Sequence, residues 1–150
     1  GRPFRHRSPE NVLEEIAWLK KEFGIKSIIF DDDNLYTHKS HSKGIFQGMI
    51  DRGLETPWKS IATAVFRLDE EIVDVMRASG CVYCDVAIES GVERVQREIV
   101  RKPINFDQAK RVIKYMRKKG NKVEIEYERY YILCELRNQE LYVINAKRNP

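Results

Sequence analysis

Ile25-Lys26-Ser27-Ile28-Ile29-Phe30-Asp31-Asp32-Asp33-Asn34 decides the fold. A short run of β-branched and aromatic residues fits a buried strand, and it ends abruptly in acid. A helical pattern precedes it. Ser8-Pro9-Glu10 supplies an N-cap, a proline at the first helical position and an acidic first turn, and Val12, Leu13, Ile16, Leu19 and Phe23 then recur at helical spacing. Gly24 is placed to stop that helix. After the acidic stretch, Ile45, Phe46, Met49 and Ile50 mark one side of a second helix that closes at Gly53.

Working outward, the unit repeats. A strand is predicted over Ser60 to Val65, and Asp69 caps a third helix, with apolar positions Ile72, Val73 and Met76, that ends near Ser79-Gly80. The strand Val82 to Ile88 then runs into Glu89-Ser90-Gly91. Val92, Val95 and Ile99 mark a helix ended by Pro103, and Asn105 or Asp107 starts another that carries Ala109, Val112, Ile113 and Met116 as far as Gly120. Val123 to Tyr127 opens a last strand. Four strands alternating with helices of roughly 10 to 15 residues indicate right-handed βαβ units around a parallel sheet. A closed eight-fold barrel takes about 250 residues. The fold class is therefore α/β, a partial (β/α) barrel or an open sheet with about four parallel strands and flanking helices. Beyond Tyr127 the segments 128–134 and 141–144, separated by Arg137-Asn138-Gln139, read as a hairpin. The division expected is a β/α unit over 1–122 and a divergent last strand and tail over 123–150.

Composition narrows the function. The 150 residues are 42% apolar and 33% charged, which describes a soluble globular chain. No run approaches the roughly 18 to 20 apolar residues of a membrane span, and Gly1-Arg2-Pro3-Phe4-Arg5-His6-Arg7 lacks the apolar core of a secretory signal. The three cysteines, Cys81, Cys84 and Cys134, form no disulfide framework, so a reducing, cytoplasmic setting is expected. The net charge of +4 is modest, but Arg101 to Gly120 holds eight basic residues against Asp107 alone. Such a run reads first as a solvated helix face; the alternative is a non-catalytic RNA- or protein-binding module using the basic 101–119 face. Open sheet edges offer a route to oligomerisation.

In parallel α/β architectures ligands sit at the carboxyl ends of strands. Asp31, Asp32 and Asp33 end the first strand and Glu89 ends the third. Strand alternation places Val82, Cys84, Val86 and Ile88 on one face and Tyr83, Asp85, Ala87 and Glu89 on the other, the barrel interior. It also sets Asp31 and Asp33 inward. Acidic residues at strand ends often only cap turns and helices, but two clusters on one rim suit a ligand carrying an amino group and hydroxyls. Cys81-x-x-Cys84 has zinc or redox spacing, yet no second pair or nearby histidine accompanies it, and alternation turns Cys84 toward the helices as a core residue. His6, His38 and His41 read as surface or capping residues. No Walker, GxSxG or HExxH motif occurs.

These pieces form an ordered series. Phe4-Arg5-His6-Arg7-Ser8-Pro9-Glu10-Asn11-Val12, Ile29-Phe30-Asp31-Asp32-Asp33-Asn34, Phe66-Arg67-Leu68-Asp69, Ser79-Gly80-Cys81 and Ile88-Glu89-Ser90-Gly91 resemble radical S-adenosylmethionine proteins, in particular the cobalamin-associated branch. The match runs from about Arg2 to about Lys122. The resemblance implies a partial (β/α) barrel and S-adenosylmethionine as cofactor, with cobalamin as a further cofactor of that branch. It also implies a [4Fe-4S] cluster held by a CxxxCxxC loop. That motif is absent from this sequence, and in the family it lies shortly before the segment matching Arg2 to Pro9. The cluster is therefore expected only in a full-length form, and this chain alone is expected to be inactive. By the same resemblance Asp31, Asp32, Asp33 and Asn34 lie near the methionyl group, Arg67 meets the carboxylate, and Glu89 with Ser90 contacts the ribose. Residues 123–150 lack the glycine-rich turn that the family places near the adenine.

Overall fold

The computed structural model describes residues 6–32, 35–126, 130–137 and 140–148. Helix α1 (Pro9–Phe23) leads into β1 (Ile28–Phe30), α2 (Lys39–Asp51), β2 (Trp58–Thr63), a 3-10 turn (Val65–Arg67), α3 (Glu70–Ala78) and β3 (Cys81–Ala87). A single α-helical turn, α4 (Glu93–Val95), continues as a π-helical turn (Gln96–Val100), followed by α5 (Phe106–Lys118) and β4 (Lys122–Glu126). The four strands pair in chain order, all parallel. Successive right-handed crossovers between adjacent strands put every helix on the same face. Neighbouring helices accordingly pack in sequence, α1 on α2, α2 on α3 and α3 on α5. This is a sector of a (β/α) barrel, with β1 and β4 carrying its two edges. β5 (Tyr130–Arg137) and β6 (Glu140–Arg148) form a separate two-stranded antiparallel sheet, the hairpin read from the sequence.

Local chemistry sets the helix ends. Ser8 Oγ accepts from the Asn11 N–H at 3.2 Å, and Gly24 closes α1 in the left-handed region at φ +59°. Asp69 and Asn105 cap α3 and α5 by accepting from the N–H groups of Ile72 and Gln108. The predicted apolar faces of α2, α3 and α5 are inside: Ile45, Phe46, Met49, Ile72, Val73, Met76, Ala109, Val112, Ile113 and Met116 are all buried. In α1 only Leu13 and Ile16 are. Phe23 is 66% exposed and pairs edge-on with Trp18 at 5.1 Å, so the end of α1 departs from the expected stripe.

Three expectations shift. β2 starts at Trp58, not Ser60, because the indole is the centre of the core, stacked on Phe46 at 4.7 Å and edge-on to Phe30 at 5.1 Å. The helix marked by Val92, Val95 and Ile99 is one α turn plus a π turn, and its inward residue is Gln96, while Val92 and Ile99 are exposed. In β3 a bulge intervenes, since Trp58 pairs with Cys81 but Lys59 with Tyr83. Val82 is left 41% exposed, and both Cys81 and Cys84 face the helices with their sulfurs 3.5 Å apart. Cys84, Val86 and Ile88 keep the predicted helix-facing side.

α2 and α3 are also tied by charge. Lys39 donates to Asp69 and Glu71, each at 2.6 Å, and Lys43 donates to Glu71. The two lysines hold the Glu71 carboxyl down at about 2. Burial pushes the Asp69 carboxyl up, but the hydrogen bonds from Lys39 and the Ile72 N–H outweigh it and leave it lowered. A carboxylate depressed in the folded state stabilises the fold above its unfolded titration and loses that contribution as pH falls through the folded value. Denaturant midpoints are therefore expected to fall between about pH 4.5 and 2 in the wild type, and less in Glu71→Gln over the same interval. Added salt should shrink the difference, because these groups are exposed.

Candidate ligand site at the carboxyl rim

Because the strands are parallel, β1, β2 and β3 end at one edge, and the segments that follow them meet there. Asp31 and Asp32 follow β1 and are exposed; Asp33 and Asn34 lie outside the described residues. Ile29 is 57% exposed on the open face while Phe30 packs on Trp58, so the alternation behind the inward reading of Asp31 is present in β1. Two strand spacings put the ends of β1 and β3 about 10 Å apart. Arg67 stands between them at the end of the 3-10 turn, exposed, its guanidinium 5.4 Å from the Phe66 ring centre. Gln108 Nε2 donates to the carbonyls of Val65 and Leu68 at 3.2 and 2.8 Å, holding that turn from α5.

The end of β3 is the most constrained part of the rim. Glu89 has φ +69°, and the Ser90 N–H donates to the Ile88 carbonyl at 2.9 Å across it. Together these define the strained form of a γ-turn, rare for a residue with a β-carbon. Such strain clusters at ligand sites and costs on the order of 1–3 kcal/mol. The Glu89 side chain is only 13% exposed, and Lys102 donates to its Oε1. Ser90 Oγ accepts from the Val92 N–H at 3.1 Å, which leaves its hydroxyl hydrogen to donate elsewhere. Arg101, next to Lys102, is also left-handed at φ +58°.

Below the rim the open face of the sheet is polar. Tyr83 shares its hydroxyl hydrogen between Asp85 Oδ1 at 2.6 Å and Glu124 Oε2 at 2.7 Å, and the hydrogen bonds to those two carboxylates push the phenol well above its usual range. Lys59 and Lys122 approach the Tyr83 ring at 5.9 and 5.4 Å. Asp85 and Glu89, the two acids placed on the interior face of β3 by alternation, are thus met by Tyr83 and Lys102. Sequence reasoning missed Lys102, Gln96 and Gln108. Lys102 was visible only as part of the basic run, and a glutamine in a helical pattern carries no signal. Within that run Lys102, Arg117 and Lys119 are engaged in the fold, with Glu89, the Val123 carbonyl and Asp74 respectively.

Other sequence candidates lie elsewhere. The Cys81 and Cys84 sulfurs are on the helix side, and the hydrogen bond shared with Cys81, together with burial, pushes the Cys84 thiol up, as suits an inert core pair. The three histidines, scattered in sequence, gather at the starts of α1 and α2, with His6 and His41 ring centres 4.4 Å apart and His41 Nε2 2.6 Å from the Arg7 carbonyl. Among the described residues no group of three His, Cys, Asp or Glu side chains is placed to hold a metal ion. None of their helices is long and apolar enough to cross a membrane.

The structure is thus a parallel β/α barrel sector whose described strand ends present carboxylates, a hydroxyl and a guanidinium along the edge at which ligands bind in such folds. The chain belongs to the radical SAM superfamily, whose family model matches residues 1–134. It is 38% identical over 121 residues to cytidylyl-2-hydroxyethylphosphonate methyltransferase of Streptomyces wedmorensis, covering 80% of this chain and 22% of that protein. It is 31% identical over 120 residues to an uncharacterized methyltransferase of Pyrococcus horikoshii, covering 80% and 26%. Among solved structures it superposes on the radical S-adenosylmethionine methyltransferase TsrM of Kitasatospora setae, with cobalamin and a [4Fe-4S] cluster bound, at a TM-score of 0.70. That match has 18% identity and covers 81% of this chain and 25% of TsrM. Methylornithine synthase (PylB) matches at a TM-score of 0.58 and 16% identity, over 84% and 37%. The chain thus spans about a quarter of the length of the curated relatives it matches.

Proposed function

We propose that this chain is the S-adenosylmethionine-binding half of the catalytic barrel of a cobalamin-associated radical SAM methyltransferase. The donor set fits the cofactor. Carboxylates accept from ribose hydroxyls and from an ammonium, and a guanidinium pairs with a carboxylate. Glu89 and Ser90 take the ribose, Asp31 and Asp32, with Asp33 and Asn34 by resemblance, take the methionyl amine, and Arg67 takes its carboxylate. Cys81 and Cys84 do not fit a cluster, because both are buried on the helix face, away from the rim. When bound, S-adenosylmethionine supplies a sulfonium whose carbon–sulfur bonds can be cleaved. The residues of this chain orient that group and neutralise its amino-acid end. The observation that carries the reading is Glu89, held in a strained turn and largely shielded from water at the rim. Methyl transfer rests on the relatives, and the methyl acceptor belongs to the whole protein.

Equilibrium dialysis with labelled S-adenosylmethionine tests it. A charge-assisted hydrogen bond contributes about 1.5–3 kcal/mol, so Glu89→Gln is expected to weaken binding roughly ten- to a hundredfold. Equal affinity in the wild type and Glu89→Gln contradicts the assignment.

A further inference from the structure

Gln96 lies within the rim but outside the ligand-binding set. It is 2% exposed, and it is the buried residue of the π-helical turn. Its Nε2 donates to the Ile88 carbonyl and, at 2.8 Å, to the Ser90 carbonyl. Those two carbonyls flank Glu89, so one amide bridges the residue on either side of the γ-turn. Its Oε1 is buried with no partner, a cost that a residue selected only for packing would avoid. A leucine would fill the same space without it. The Gln96 N–H donates to the Val92 carbonyl at 3.0 Å, so α4 carries the side chain to the two carbonyls, and the π turn that follows is of a kind that concentrates at functional sites.

We propose that Gln96 is the positioning residue that holds Glu89 and Ser90 in their ligand-facing geometry. The inference rests on the reading of Glu89 and Ser90 as ribose contacts. Gln96 itself touches no ligand. It fixes the backbone on both sides of Glu89, and Lys102 fixes the carboxylate, so the side chain is held at both ends. The specificity for ribose hydroxyls follows from that rigidity.

The test uses the whole chain, in the wild type and in Gln96→Leu, with two measurements. Amide hydrogen exchange at Ser90, Gly91 and Val92 is expected to accelerate about tenfold or more in Gln96→Leu, while amides of α5 and the β2–β3 ladder stay unchanged. Unchanged exchange at the turn overturns the proposal whatever the ligand does. Affinities for adenosine and 2'-deoxyadenosine are then compared. The wild type is expected to prefer adenosine, and Gln96→Leu to lose that preference while binding 2'-deoxyadenosine as the wild type does. An equal loss for both nucleosides marks Gln96 as merely structural and overturns the positioning role. A wild type that does not discriminate, with exchange accelerated in the variant, overturns instead the ribose reading on which the role rests.

Discussion

Trp58→Ala is expected to leave the chain largely unfolded at room temperature. The indole is fully buried at the start of β2, stacked on Phe46, edge-on to Phe30, and its Nε1 donates to Ser79 Oγ at 3.1 Å. It therefore joins β1, β2, α2 and the end of α3. Truncating a buried tryptophan costs about 3–5 kcal/mol, against a total of about 5–15 kcal/mol for an ordinary domain. This is a four-stranded barrel sector, so its stability belongs at the low end of that range. Urea unfolding followed by circular dichroism should show the transition shifted to near zero denaturant. Trp58→Phe keeps most of the ring contact, loses the bond to Ser79, and should cost only about 1–2 kcal/mol. A Trp58→Ala midpoint within the error of the wild type would place the core elsewhere.

Gly80→Ala is expected to be comparably damaging for a different reason. Gly80 has φ +110°, and a β-carbon there would lie 2.4 Å from the Thr56 carbonyl oxygen. Its own carbonyl accepts from the Trp58 N–H at 3.0 Å, so the backbone cannot move away without opening the start of β2. Backbone strain of about 1–2 kcal/mol and overpacking of about 1–3 kcal/mol act together. Gly91→Ala is the control, since Gly91 has a negative or extended φ and open space around it. Its midpoint should stay within about 0.5 kcal/mol of the wild type.

The strand ladder and the helix stripes were legible because parallel strands and amphipathic helices write their periods directly into the chain, as at Ile28 to Phe30 and at Ala109 to Met116. Asp31 and Glu89 were legible as strand-end acids for the same reason. What escaped reading depends on exceptions to those periods. The bulge at Val82 puts Cys81 beside Cys84, and alternation alone predicts the opposite. The short helix over residues 92–99 buries the polar Gln96 and leaves Val92 and Ile99 exposed, which a reading of apolar spacing does not anticipate. The Glu89 backbone, the Lys102 pair and the two glutamine clamps are tertiary facts, set by groups that lie 6 to 43 residues apart.

The open face of the sheet carries its own charge pattern. Lys59, Tyr83 and Lys122 lie level across three strands, with Asp85 and Glu124 one layer nearer the rim. That layering leads from a cationic floor to an acidic mouth.

The central claim is that the segments following β1, β2 and β3 form one binding mouth for S-adenosylmethionine. Titrating the isotope-labelled chain with S-adenosylmethionine and following backbone amide shifts by NMR tests it most directly. The account predicts shifts that saturate together at Asp31, Asp32, Arg67, Glu89 and Ser90, with the helix faces of α1 and α5 unmoved. Shifts confined to one strand end, or centred on the helix side of the sheet, would contradict it.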